Sequence, residues 1–199
     1  MGFLVLVLGL ILFFGPHVFV TMRPHRDAAV KRFGEWPYKG LFAAVSIVGL
    51  YVIGKGFGMY DAGGPIVVWT PPSWTKHLTE ALMLPACIFV VAAYIPGNIK
   101  RTLKHPMLVG VKTWAVAHLI TNGDVGGIIL FGSVLAWAVY DRISLKRRSD
   151  SGELPIPLGG WKNDVAALIV GIILYFALAF PFHSMVIGRM VFGTPAYGT

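Results

Sequence analysis

Six histidines lie in a chain that is otherwise strongly apolar, and their surroundings decide what chemistry each can do. His17 sits in the run Phe14-Gly15-Pro16-His17-Val18-Phe19, and His118 ends the run Lys112-Thr113-Trp114-Ala115-Val116-Ala117-His118. Neutral imidazole is a ligand for iron and other transition metals. Within a bilayer a polar side chain is costly, so it is bonded to something or it serves a function. Two readings follow for His17 and His118: they hold a metal or a haem, or each donates to a nearby carbonyl or hydroxyl. Lys112, in the same apolar run, demands a carboxylate, a carbonyl or a water-filled cavity. Asp124 beyond the next turn is one candidate partner, and a haem propionate is another.

The other histidines carry weaker signals. His105 and Pro106 stand where a basic loop meets an apolar block, as an interfacial helix start or as a contact to a ligand or headgroup. His25 lies in a basic loop and is solvated or headgroup-bound. His77 and Glu80 are three apart and share a helix face, a metal pair only if further donors join them. His183 follows Pro181-Phe182 and reads as interfacial. Cys87 is the single cysteine, so no intramolecular disulfide can form, and it reads as a small packing residue. The chain lacks a Gly-x-Ser-x-Gly elbow, a phosphate-binding P-loop and a His-Glu-x-x-His pair.

The elements that must place these side chains are membrane spans. Of 199 residues, 56% are hydrophobic and 13% charged, with a mean hydropathy of +0.70. A soluble domain cannot coat that much apolar surface. Apolar blocks run over 2–20, 41–58, 75–94, 106–121, 125–140 and 165–182. They predict an all-α integral membrane protein, a single domain over 1–199 built as a bundle of about six transmembrane helices. The fourth is short, about 24 Å for its 16 residues. Asn122-Gly123-Asp124 is a tight turn between the fourth and fifth.

The net charge of +8 does not point to nucleic acid, because its distribution follows the loops. Thirteen of the seventeen Lys and Arg lie in the first, third and fifth loops, around Arg26, Arg101 and Arg147. The positive-inside rule then puts these loops in the cytoplasm and both termini on the other side. The first block has no basic residue before it, so it reads as a retained helix and not a cleaved signal. Anionic lipid headgroups are the expected electrostatic partner.

Two segments carry a resemblance. One is Gly15-Pro16-His17 followed by Met22-Arg23-Pro24; the other runs from His105-Pro106-Met107-Leu108-Val109-Gly110 through Trp114 and Ala117-His118 to Asn122-Gly123-Asp124. With the basic end of the fifth block, Tyr140-Asp141-Arg142, they resemble the NnrU family of bacterial membrane proteins over most of the chain. That family is associated with nitrite and nitric-oxide metabolism in denitrifiers, and is similar to the 15-cis-zeta-carotene isomerase of plants and cyanobacteria, a haem-b-dependent membrane enzyme. The resemblance implies a bacterial inner-membrane protein with haem b between His17 and His118 as iron ligands, and a redox or isomerase role. It also implies a hydrophobic substrate such as a carotenoid, or another membrane protein as partner. His105 is the substitute ligand, Lys112 a contact for the propionates, and Trp114 a neighbour of the macrocycle one turn before His118. Three residues before His118, where the isomerase has a cysteine, this chain has Ala115.

Two other function classes compete. A small membrane methyltransferase of the isoprenylcysteine type carries an Arg-His-Pro segment, but here Lys104 precedes His105 and no Asp or Glu follows Asp164. A non-catalytic accessory subunit would use its histidines as internal polar glue, at about 0.6 kcal/mol each.

Overall fold

The computed structural model describes residues 1–150, 159–187 and 191. The helices are α1 (Gly2–Thr21), α2 (Arg23–Phe33), α3 (Glu35–Ala62), α4 (Trp74–Ala92), α5 (Asn98–Leu103), α6 (Pro106–Thr121), α7 (Val125–Asp150) and α8 (Trp161–Ala177). A π-helical segment, Leu178–Ile187, continues α8. Among the described residues the only β-type pairing is an isolated bridge between Val67 and Asp124. Among the described residues, five helical stretches are long and apolar enough to cross a membrane: Gly2–Thr21, Glu35–Ala62, Trp74–Ala92, Val125–Arg147 and Trp161–Met185. The protein is an all-α integral membrane protein.

Several boundaries differ from the sequence reading; α7, for one, runs on to Asp150 through Arg142, Lys146 and Arg147, which the sequence placed in a loop. The second span begins at Glu35, not Leu41, because Glu35 and Lys39 pair at 2.7 Å across one turn and extend the helix into the polar zone. The basic loop before it holds α2, opened by Pro24 in its first turn and separated from α3 by Gly34 at φ 89°. At 16 residues α6 is shorter than a full span, so the expected six become five long helices and one short companion.

Contacts divide the chain into two compact units. The first holds residues 1–68 and 124–133. Within it α1 and α3 run antiparallel and approach through glycines. A Cβ on Gly9 would lie 2.5 Å from the Ile53 nitrogen, and one on Gly49 would lie 2.7 Å from the Phe13 nitrogen. Gly2 meets the Tyr60 backbone and Gly56 the Leu6 backbone just as closely. Hydrocarbon tails are as apolar as leucine, so membrane helices gain from close backbone contact, and glycine permits it. Leu6, Leu10 and Ile53 form the buried centre of this pair. Asp124, 7% exposed, accepts a hydrogen bond from the Gly127 amide at 2.8 Å and so caps the start of α7.

The second unit holds residues 69–123 and 134–199. Here α4 packs against both α6 and α8. Gly110 lies against the Ala86 carbonyl, and the Thr79 hydroxyl donates to the Ala117 carbonyl at 2.7 Å, so α6 runs antiparallel to α4. Gly171 against Ile88 places α8 antiparallel to α4 as well. At the shared end, the Asp164 carboxylate accepts from the Ile99 amide and from the Asn98 side chain, both at 2.9 Å. Lys100, Arg101, Lys104 and Lys162 therefore gather at one end of the unit, as the charge pattern of the loops requires.

Candidate functional site

Three histidines are anchored in the same way, each by its own helix. Nδ1 of His17 lies 2.6 Å from the Phe13 carbonyl, Nδ1 of His118 lies 2.9 Å from the Trp114 carbonyl, and Nδ1 of His183 lies 2.7 Å from the Leu178 carbonyl. A carbonyl oxygen only accepts, so each Nδ1 carries the proton and each Nε2 holds the lone pair. A hydrogen bond from one ring nitrogen to backbone fixes the tautomer and orientation that a metal-ligating histidine needs at the other.

His17 belongs to the first unit. Its ring stacks on Phe13 at 4.3 Å between centroids and meets Phe42 at 5.0 Å. The glycine contact of α3 is what puts these aromatic rings together. Gly49 touches the backbone of Phe13, and Phe42 stands two turns earlier on the same helix.

His118 belongs to the second unit, where it lines a cavity of about 70 Å³ with Glu80, Met83, Cys87, Tyr175 and His183. Glu80, Met83 and Cys87 recur at helical spacing on one face of α4. The ring of His183 stands 6.4 Å from that of His118, at an interplanar angle of 24°. Trp114 packs beside His118 at 4.9 Å between ring centroids. Glu80 is 16% exposed and sits 3.4 Å from His77, which is 82% exposed. Among the described residues no three His, Cys, Asp or Glu converge on one point.

Other expected site residues lie elsewhere. His105 precedes α6, thirteen residues and about 20 Å along the axis from His118. Lys112 is half-buried, and among the described residues its ammonium makes neither a salt bridge nor a hydrogen bond. The Asp124 carboxylate is used by the Gly127 amide. Replacing Lys112 by methionine is therefore expected to change stability by no more than about 0.5 kcal/mol. Thermal unfolding in detergent checks this, and a drop of several degrees would show a partner at Lys112. His183 lines the same cavity, and Cys87 is a buried thiol on its wall.

The model of one protein family, described as NnrU protein, matches residues 5–191, nearly the whole chain and all of the helices that carry these histidines. The chain belongs to the NnrU family. No curated protein and no solved structure matches it.

For this NnrU-family chain, the donor set can be tested against the haem b that the sequence resemblance brought in. A bare zinc or iron ion takes four or more protein or water donors, and no three-donor cluster is present among the described residues. Haem iron takes four nitrogens from its macrocycle and needs only one or two axial donors from the protein. Imidazoles with Nδ1 held by backbone meet that donor requirement, while the cavity of about 70 Å³ beside His118 is smaller than a macrocycle. An open apolar depression of the same unit, about 370 Å³, lies between the 69–75 segment and α6 and is lined mainly by Trp69, Trp74, Leu119 and Ile120. Its size and apolar lining suit part of a hydrophobic molecule.

Proposed function

We propose that this NnrU-family protein would hold haem b inside the membrane, with the His118 imidazole as a ligand to its iron, and serve a redox or isomerase-type role on a hydrophobic substrate. The observation that carries the reading is the bond from the Nδ1–H of His118 to the Trp114 carbonyl. It leaves Nε2 as the basic atom, on a ring set among Met83, Cys87 and Tyr175. Bound haem would supply one-electron chemistry at iron. The chain's own residues orient the imidazole, exclude water and, through the Trp-lined depression on α6, offer an apolar wall to a carotenoid-like molecule. The loops around Arg26, Arg101 and Arg147 would face the cytoplasm of a bacterium, the side that positive-inside insertion favours.

The competing role, polar glue in an accessory subunit, uses the same carbonyl bonds but requires nothing at Nε2. Titration of the purified apoprotein with hemin separates the two. The proposal expects an equivalence point at one haem per chain and a b-type pyridine haemochrome. A featureless titration, no different from hemin added to empty detergent, would leave only the glue.

A further inference from the structure

We propose that α2 and the first turn of α3 bind the headgroup of an anionic phospholipid, with Arg23, Lys31 and Arg32 as the cations that select it. This site belongs to the first unit and does not depend on the haem reading. Between Met22 and Lys39 the chain carries five basic residues, Arg23, Arg26, Lys31, Arg32 and Lys39, against the two acids Asp27 and Glu35. Both acids are already engaged. Arg26 donates to the Asp27 carboxylate at 2.8 Å, and the Lys39 ammonium lies 2.7 Å from Glu35. Arg23, Lys31 and Arg32 make no ion pair among the described residues, so three cations are left over.

The backbone fixes where those charges stand. Met22 alone joins α2 to α1, and Gly34 alone joins it to α3. An eleven-residue helix is about 16 Å long, and α2 touches both neighbours. Tied at each end to a membrane span, it lies along the membrane surface and does not project from it. None of its residues is buried, and Lys31 and Arg32 are exposed.

The corner between α2 and α3 adds two open aromatic rings, Phe33 at 62% exposed and Trp36 at 82%. Water is a poor neighbour for such rings, and the headgroup layer of a bilayer is a good one. The Arg32 guanidinium lies 5.3 Å from the centre of the Phe33 ring, and the Lys39 ammonium 5.5 Å from that of Trp36. Ring and cation together suit a lipid, whose glycerol and upper chain meet the ring while its phosphate meets the charge. A zwitterionic lipid brings its own ammonium to compete with Lys31 and Arg32, and an anionic lipid does not. A soluble polyanion would meet the charges but leave Phe33 and Trp36 uncovered.

The test is native mass spectrometry of the full chain in a neutral detergent, titrated with phosphatidylglycerol or with phosphatidylcholine of the same acyl chains. Each basic residue near an anionic surface is worth about fivefold in affinity, so the wild type is expected to prefer phosphatidylglycerol by about tenfold or more for the first lipid bound. In Arg23→Gln/Lys31→Gln/Arg32→Gln that preference is expected to shrink to within about twofold. The pair Lys31→Gln/Arg32→Gln changes only exposed side chains, and is expected to bind phosphatidylglycerol about fivefold or more weakly with an unchanged unfolding temperature. Lys55→Gln is the control: that lysine also lies over a ring, Tyr51 at 5.7 Å, but near the other end of α3, and its loss should leave the preference intact. Excess inorganic phosphate is expected not to displace the lipid. Equal affinity of the wild type for the two lipids, or a preference that survives in the triple variant, overturns the site. Displacement by free phosphate overturns it as well, by showing an anion site with no part for the lipid.

Discussion

In a His118→Ala variant, haem content after saturation with hemin and gel filtration is expected to fall more than tenfold below wild type. Removing even an outer-shell partner of a metal ligand costs about 10- to 100-fold in affinity, and here the ligand atom itself is lost. The fold should survive the change. The Trp114 carbonyl gives up only a side-chain bond, worth about 1 kcal/mol, and the α4–α6 contact through Thr79 and Gly110 is untouched. His25, in the loop helix α2, supplies the matched control, since His25→Ala leaves the cavity as it is. Equal haem content in His118→Ala and wild type would show that iron, if bound, is bound elsewhere.

Replacing Gly56 by leucine is expected to pull α1 away from α3 and destabilise the first unit by about 3 kcal/mol or more. Even a methyl group on Gly56 would collide with the backbone of Val5 and Leu6, which cannot turn aside as a side chain can. Overpacking in a filled interior costs about 1–3 kcal/mol when side chains can adjust, and a backbone clash lies above that range. The same helix carries its own control, because Gly54 and Gly58 face open space. Alanine at either should be neutral or raise stability by up to about 1 kcal/mol through helix propensity. Thermal unfolding of Gly56→Leu, Gly54→Ala and Gly58→Ala in one detergent checks the contrast. If all three unfold at the wild-type temperature, the glycine contact does not hold the helices together.

The long helices were legible because apolar blocks of membrane length have few other fates. The anchored ring of His118 and its neighbour Trp114 were legible for a similar reason, since α-helical spacing alone puts them on one face. Other features needed a signal of a different kind. Gly2 and Gly9 are seven residues apart, as are Gly49 and Gly56, a spacing present in the sequence that a search for polar groups passes over. The start of α3 at Glu35 depends on an ion pair one turn into a polar loop, where hydropathy is silent. His183 escaped because periodicity assumes 3.6 residues per turn, and the π turn after Ala177 breaks that assumption. Asp124 was one candidate partner for Lys112, and sequence spacing does not show that its carboxylate accepts from the Gly127 amide at the start of α7.

The absorption spectrum of the wild-type protein, purified in detergent from cells supplied with haem and recorded oxidised and dithionite-reduced, tests the central claim most directly. A Soret band at near-stoichiometric intensity is expected, sharpening and shifting on reduction as in a b-type haem protein. A protein that is colourless in both states, though folded and saturated with the cofactor during expression, would contradict it and leave the histidines as structural bonds within their helices.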